Sequence, residues 1–156
     1  MGTVRIVVGA GSAPTEMASY DAALADAGIH NYNLVPVSSV VPADATVEFA
    51  ETAPDLGPAG ERLTIVEARA TASEVGRAVA GLGWATGPGP GLFYEATGSG
   101  ADSVRTRIEA GLDAGADLRD WELDDRRIEV EAVDHDGEGF ATAVAVAVYG
   151  GSEPIL

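Results

Sequence analysis

Two adjacent serines, Ser38 and Ser39, close the apolar run NYNLVPV at residues 31–37 and precede Val40-Val41-Pro42. A serine hydroxyl can attack a neighbouring carbonyl, and its oxygen can later depart as a leaving group. On residue chemistry alone, two serines at the end of an apolar strand read as a turn or a helix cap. The rest of the composition limits what else is available. There is no cysteine, which excludes disulfides, zinc-thiolate sites and cysteine nucleophiles. The two histidines, His30 and His135, stand far apart and in no metal-ligand spacing, so no metal is expected. All nine basic residues are arginine. Without lysine the chain cannot hold pyridoxal phosphate as a Schiff base, so any amino-acid carbanion chemistry needs another electron sink.

Three further polar residues sit where chemistry is possible. Glu95 lies in LFYEAT at 92–97, an otherwise apolar and small segment. A carboxyl in such surroundings has a raised pKa and can donate a proton, although strand alternation equally lets it face outward. Asp21 follows Met17 by four residues and precedes Leu24 by three, which puts a carboxylate on or beside the apolar stripe of a helix. There it can bind a guanidinium through a bidentate pair, or be an ordinary surface aspartate of an acidic protein. The side-chain amide of Asn33 can donate to a developing oxyanion. On spacing alone it reads as a turn-forming asparagine at a strand start. GAGS at 9–12 looks like the opening of a dinucleotide fingerprint, but Pro14 stands where the third glycine belongs. A tight turn into a helix accounts for it better.

The elements that must position these residues follow from periodicity. Residues 3–8, 31–37, 62–71, 92–97, 127–134 and 140–149 read as strands. Residues 15–27 and 102–116 read as helices, the first with Met17, Leu24 and alanines on one stripe and Gly28 as its stop. Residues 73–86 carry helical spacing in places, but Gly76, Gly81 and Gly83 favour a strand. Residues 51–61 and 87–91 are loops. In 127–134 the pattern sends Ile128, Val130 and Ala132 inward and Glu129, Glu131 and Val133 outward. HDGEG at 135–139 predicts a hairpin turn joining the last two strands. The sum is one α/β domain over 1–156, with no repeat and no linker.

Several segments together resemble the pyruvoyl-dependent arginine decarboxylases. NYNLVPVSSVVP at 31–42 is similar to the self-cleavage site of that family. YDAALADAGIHNYN at 20–33 is similar to its helix-to-strand segment, GLFYEATG at 91–98 to its glutamate strand, and LRDWELDD at 118–125 to its C-terminal region. The resemblance covers nearly the whole chain, and its specificity lies in the combination. It implies an α-β-β-α sandwich, self-cleavage between Ser38 and Ser39 into 1–38 and 39–156, and a covalent pyruvoyl group made from Ser39. It implies that Asn33 aids cleavage, that Glu95 protonates the substrate α-carbon, and that Asp21 receives the side chain of L-arginine, which is converted to agmatine. It also implies a homotrimer with active sites between subunits. Trp121 and Glu122 match the family pattern, and their chemistry assigns them to packing and caps. A pyruvoyl decarboxylase for another amino acid, and an unprocessed small-molecule-binding relative, are the other readings.

The charge balance bears on partners and surroundings. There are 25 acidic residues against nine basic ones, a formal net charge of −16. Such a surface repels nucleic acid and anionic lipid. No stretch has the length of a membrane span and residues 1–10 lack a secretory pattern, so a soluble cytoplasmic protein is expected. The acidic, lysine-free composition resembles that of proteins from salt-accumulating halophiles. Molar salt shortens the Debye length to about 3 Å and screens self-repulsion. The thermal unfolding midpoint should therefore rise between low and molar potassium chloride. A flat or falling midpoint would count against the adaptation.

Overall fold

A computed structural model describes residues 2–156. The elements run β1 (Thr3–Ala13), α1 (Glu16–Ala27), β2 (Asn33–Pro36), β3 (Val40–Val41), β4 (Thr46–Glu51), β5 (Arg62–Ala72), β6 (Gly76–Thr86), β7 (Gly91–Gly98), α2 (Ala101–Asp117), β8 (Asp125–His135) and β9 (Phe140–Glu153). The strands form a five-stranded sheet, ordered β2-β5-β9-β1-β4, and a four-stranded sheet, ordered β3-β7-β6-β8. This is one small α/β domain with two helices and two sheets.

Strand β9 organises the packing. It pairs antiparallel with β1 along one edge and β5 along the other. Its residues alternate strictly. Ala143, Ala145 and Ala147 join the core between the two sheets, while Val144, Val146 and Val148 join the core beneath α1. Small residues on the first face let the sheets approach; each fully buried valine on the second contributes roughly 1.5–3 kcal/mol. The inter-sheet core also takes Ile6 and Val66 from the first sheet and Leu82, Trp84 and Phe93 from the second. Helix α2 covers the other face of the second sheet, with Val104, Ile108 and Leu112 fully buried against Val79, Ala85 and Leu92. Gly81 and Gly83 make this possible. A Cβ on Gly83 would stand 2.3 Å from Ile108, so the residues that disfavour a helix at 73–86 are there to admit α2.

Helix α1 has the expected ends. Thr15 caps its start by accepting from the Ala18 N–H, and Gly28, at φ 82°, ends it in the left-handed region. Its buried face is Ser19, Ala23, Leu24 and Ala27. Met17 is not on it, being 72% exposed. The stripe lies along alanines because α1 presses on a glycine-bearing strand.

That strand is longer than its apolar run. GAGS at 9–12 is not a turn but the second half of β1, paired with β9 through Ala13. A Cβ on Gly9 would lie 2.1 Å from the Ala23 carbonyl oxygen, and one on Gly11 2.5 Å from Ala22. The glycines serve close helix–strand contact. The turn at 135–139 also departs from expectation, because β8 and β9 do not pair. β8 pairs with β6 in the second sheet. β9, apolar on both faces, takes the centre of the first. The supposedly outward face of β8 is covered too, since Val133 packs into the inter-sheet core while Ile128 and Val130 face α2.

No helix among the described residues is long and apolar enough to cross a membrane. Gly9→Ala should cost about 1–3 kcal/mol, the usual price of overpacking, because its new methyl meets backbone rather than a movable side chain. A shift in urea midpoint at fixed salt measures it; an unchanged midpoint would mean that α1 does not rest on β1 as described.

Candidate active site

Ser38 and Ser39 occupy the place where the chain leaves one sheet and enters the other. β2 is an edge strand of the five-stranded sheet, and its extension is held by the Val37 N–H donating to the Ile65 carbonyl at 2.8 Å. β3 is an edge strand of the four-stranded sheet, with Val40 opposite Leu92 and Val41 opposite Gly91 on β7. The Phe93 N–H donates to the Ser39 carbonyl at 2.8 Å, and the Val40 N–H to the Ser38 carbonyl at 3.1 Å. The Ser38–Ser39 peptide is thus a span between two edges, anchored on both sides.

One residue further on, the Val40 carbonyl accepts from the Tyr149 hydroxyl at 2.8 Å. Tyr149 is the next residue on the alanine face of β9, after Ala147. Its ring meets Phe93 edge-on, 6.0 Å between centroids. Its hydroxyl is pushed up to about 12, first by burial and then by the negative charge of Glu95. Glu95 lies on β7 two residues past Phe93, on the same strand face. It is exposed within one chain, not enclosed by apolar neighbours as its segment suggested.

On the α2 side of β7, Ser38 and Ser39 line a cavity of about 430 Å³ with Tyr94, Leu118 and Arg119. The Tyr94 ring lies over Gly111, and the Arg119 guanidinium donates to the Gly115 carbonyl and stacks on Trp121 at 5.1 Å. A somewhat larger cavity, about 510 Å³, opens between the β5–β6 turn and the end of β7 and is lined by none of Asp21, Asn33, Ser38, Ser39 and Glu95.

Asn33 and Asp21 stand elsewhere. Asn33 begins β2, and its side-chain amide donates to the Gly60 carbonyl at 2.7 Å. It lies five positions before Ser38, at most roughly 17 Å away at about 3.3 Å per step. Asp21 is exposed on α1, beside a separate cavity with Met17, Tyr20 and Leu24. α1 packs on β1 and β9, on the side of that sheet away from β7. Within one chain Glu95 thus stands two residues along β7 from the partner of Ser39, while Asn33 and Asp21 lie elsewhere. Tyr149 and the Phe93 N–H were missed from the sequence. The continued alternation from Ala141 to Tyr149 could have pointed to the first; a backbone donor leaves no mark in the sequence. Among the described residues no group of three or more His, Asp or Glu is placed to hold a metal ion.

The fold defines a class of small two-sheet α/β domain whose chain crosses between the sheet edges at two adjacent serines. The comparisons give the class its family. The family model of pyruvoyl-dependent arginine decarboxylase matches residues 3–154. A pyruvoyl-dependent arginine decarboxylase of Halobacterium salinarum is 54% identical, covering 100% of this chain and 99% of that protein. Those of Pyrococcus horikoshii and Methanocaldococcus jannaschii are 33% and 32% identical, over 86% and 93% of this chain and 85% and 87% of theirs. The chain belongs to the pyruvoyl-dependent arginine decarboxylase family.

The Glu95–Tyr149 arrangement can be tested by titration. Glu95→Gln removes one of the two causes that raise the Tyr149 hydroxyl, so its ionisation should move down from about 12 toward the ordinary tyrosine value of about 10. Tyrosinate absorbance reads it, with Tyr149→Phe identifying the band. An unmoved band would place the Glu95 charge away from Tyr149.

Proposed function

We propose that this chain cleaves itself between Ser38 and Ser39, converts Ser39 to a pyruvoyl group, and decarboxylates L-arginine to agmatine. The observation that carries the reading is the Ser38–Ser39 peptide held across two sheet edges, with Glu95 two residues beyond the Phe93 donor. Family membership supports the substrate.

The cleavage uses the chain's own atoms. The Ser39 hydroxyl oxygen attacks the Ser38 carbonyl carbon, and the bond from that carbon to the Ser39 nitrogen breaks, leaving an ester and a free amine. Loss of the Ser39 α-proton expels Ser38 as a carboxylate. One water then replaces the nitrogen, which leaves as ammonia, and residue 39 becomes a ketone next to its own carbonyl. Serine is required because its oxygen serves first as nucleophile and then as leaving group. The residues present fit the group, since the carbonyls of residues 39 and 40 are already held by Phe93 and Tyr149. The pyruvoyl group supplies an electrophilic carbonyl for the substrate amine and an electron sink for the bond to carbon dioxide, the role that lysine-held pyridoxal plays elsewhere. Glu95 delivers the proton that replaces the lost carboxylate.

Cleavage need not separate the parts. Fragment 1–38 contributes β1, which lies between β9 and β4 of fragment 39–156. Asp21 and Asn33 belong to the site through assembly: in a homotrimer with sites between subunits, α1 and the start of β2 from one subunit face Ser39 of the next. Asp21 then binds the guanidinium and Asn33 steadies the Ser38 carbonyl. The placement of α1 on one sheet and α2 on the other supports the α-β-β-α sandwich of this enzyme type. The acidic, lysine-free surface suits a salt-rich cytoplasm.

Intact mass tests the reading. The protein should appear as 1–38 and 39–156, the latter with a blocked N-terminus, and Ser39→Ala should stay whole. Glu95→Gln should still be cleaved, with turnover down by about 10²–10⁴, the worth of a positioned acid. Asp21→Asn should mainly weaken arginine binding and reduce discrimination against neutral amino acids. A free serine amine at position 39 in active protein would refute the cofactor, and unchanged arginine preference in Asp21→Asn would move the specificity site elsewhere.

A further inference from the structure

Tyr149 belongs to β9 in the five-stranded sheet, yet its hydroxyl holds a carbonyl on β3 of the four-stranded sheet. The bond lies one residue from Ser39. It fixes the Val40 carbonyl at 2.8 Å, while the ring rests edge-on against Phe93, whose N–H fixes the Ser39 carbonyl at the same distance. Two consecutive carbonyls, of residues 39 and 40, are therefore held by two groups that touch each other. Glu95 shares this side of β7, close enough for its charge to act on the Tyr149 hydroxyl. The pKa of that hydroxyl is pushed up to about 12, so it remains a donor at neutral pH.

We infer that Tyr149 is a positioning residue, which fixes the backbone of residues 39 and 40 so that the reactive carbon of residue 39 stays in register with Glu95. The inference rests on the reading of Ser39 and Glu95 given above. Tyr149 acts through Val40 and Phe93. Without the hydroxyl, β3 keeps its short pairing with β7 and the burial of Val41 but loses its hydrogen bond to the five-stranded sheet, and residue 39 gains freedom at the point where both cleavage and turnover need it fixed.

Tyr149→Phe keeps the ring on Phe93 and removes only the hydroxyl. Three readouts bear on the inference. Conversion of newly folded chain to 1–38 and 39–156, followed by intact mass, should slow about three- to tenfold, the worth of one hydrogen bond, yet go to completion. In the fully cleaved variant, kcat for arginine should fall by a similar factor with KM nearly unchanged, because orientation at the reacting carbon is lost rather than binding. Phenylhydrazine, which traps a ketone, should label the cleaved variant faster than the wild type, a readout independent of turnover. Wild-type values in all three would overturn the inference. So would a parallel loss in kcat and KM accompanied by a lowered unfolding midpoint, which would make Tyr149 a packing residue only. Wild-type protein that neither cleaves nor takes up phenylhydrazine would instead refute the underlying reading of Ser39, and the inference with it.

Discussion

The Ser38–Ser39 peptide bridges the edges of two different sheets, and most of the structure serves to hold those edges in place. On one side the chain is fixed to β5 through Val37 and Ile65; on the other it is fixed to β7 through Ser39 and Phe93. The separation of the edges is set by the core between the sheets. That core is thin where β9 presents Ala143, Ala145 and Ala147, and it closes at the serine end with Tyr149 against Phe93. Close packing resists both expansion and collapse, so a core of this kind is a rigid spacer. A peptide held at both ends over such a spacer has little freedom, which is the condition under which a neighbouring hydroxyl reacts as an intramolecular nucleophile.

Much of this was legible in the sequence, but not the partners. The apolar runs gave strands and helices near their observed places, and Thr15 and Gly28 bracket α1 as capping chemistry requires. Periodicity tells which faces of a strand are buried, not which strand lies beside it. Hence 135–139 looked like a hairpin turn, although it joins strands of separate sheets. The glycines of β1 were ambiguous for the same reason: their meaning is the closeness of α1, a tertiary fact. Strand β4 drew no attention, because TVEFAE at 46–51 is short and half-exposed at a sheet edge. At the site, Ser38, Ser39 and Glu95 could be found because a motif carries them. Asn33 and Asp21 were singled out the same way, but within one chain they lie apart from the serines, because neighbours in a motif need not be neighbours in space.

The surface obeys a separate constraint. Ion pairs such as Arg62–Glu153 and Arg126–Asp113 are exposed, where each contributes roughly 0–1 kcal/mol. They leave most carboxylates without a basic partner, since arginines are so few. Glu131 shows the cost locally. It is half-buried, and burial together with the charges of Asp26 and Glu51 raises its pKa. Its ionised form therefore opposes folding at neutral pH, and that penalty fades below the ordinary carboxylate range, where the group is protonated whether folded or not. Screening by salt relieves the charge part of this penalty without touching the core or the anchored serines.

The proposed self-cleavage depends on the Ser38–Ser39 peptide being held at both sheet edges, so that the Ser39 hydroxyl acts within a fixed span. The most direct test is the rate at which newly folded chain splits, followed by intact mass, when a single glycine is inserted between Val37 and Ser38. The insertion leaves every side chain of the site intact and adds slack to the span alone. The account predicts that cleavage becomes much slower or ceases while the unfolding midpoint stays close to that of the uncleaved Ser39→Ala chain. Cleavage at the unaltered rate would contradict it.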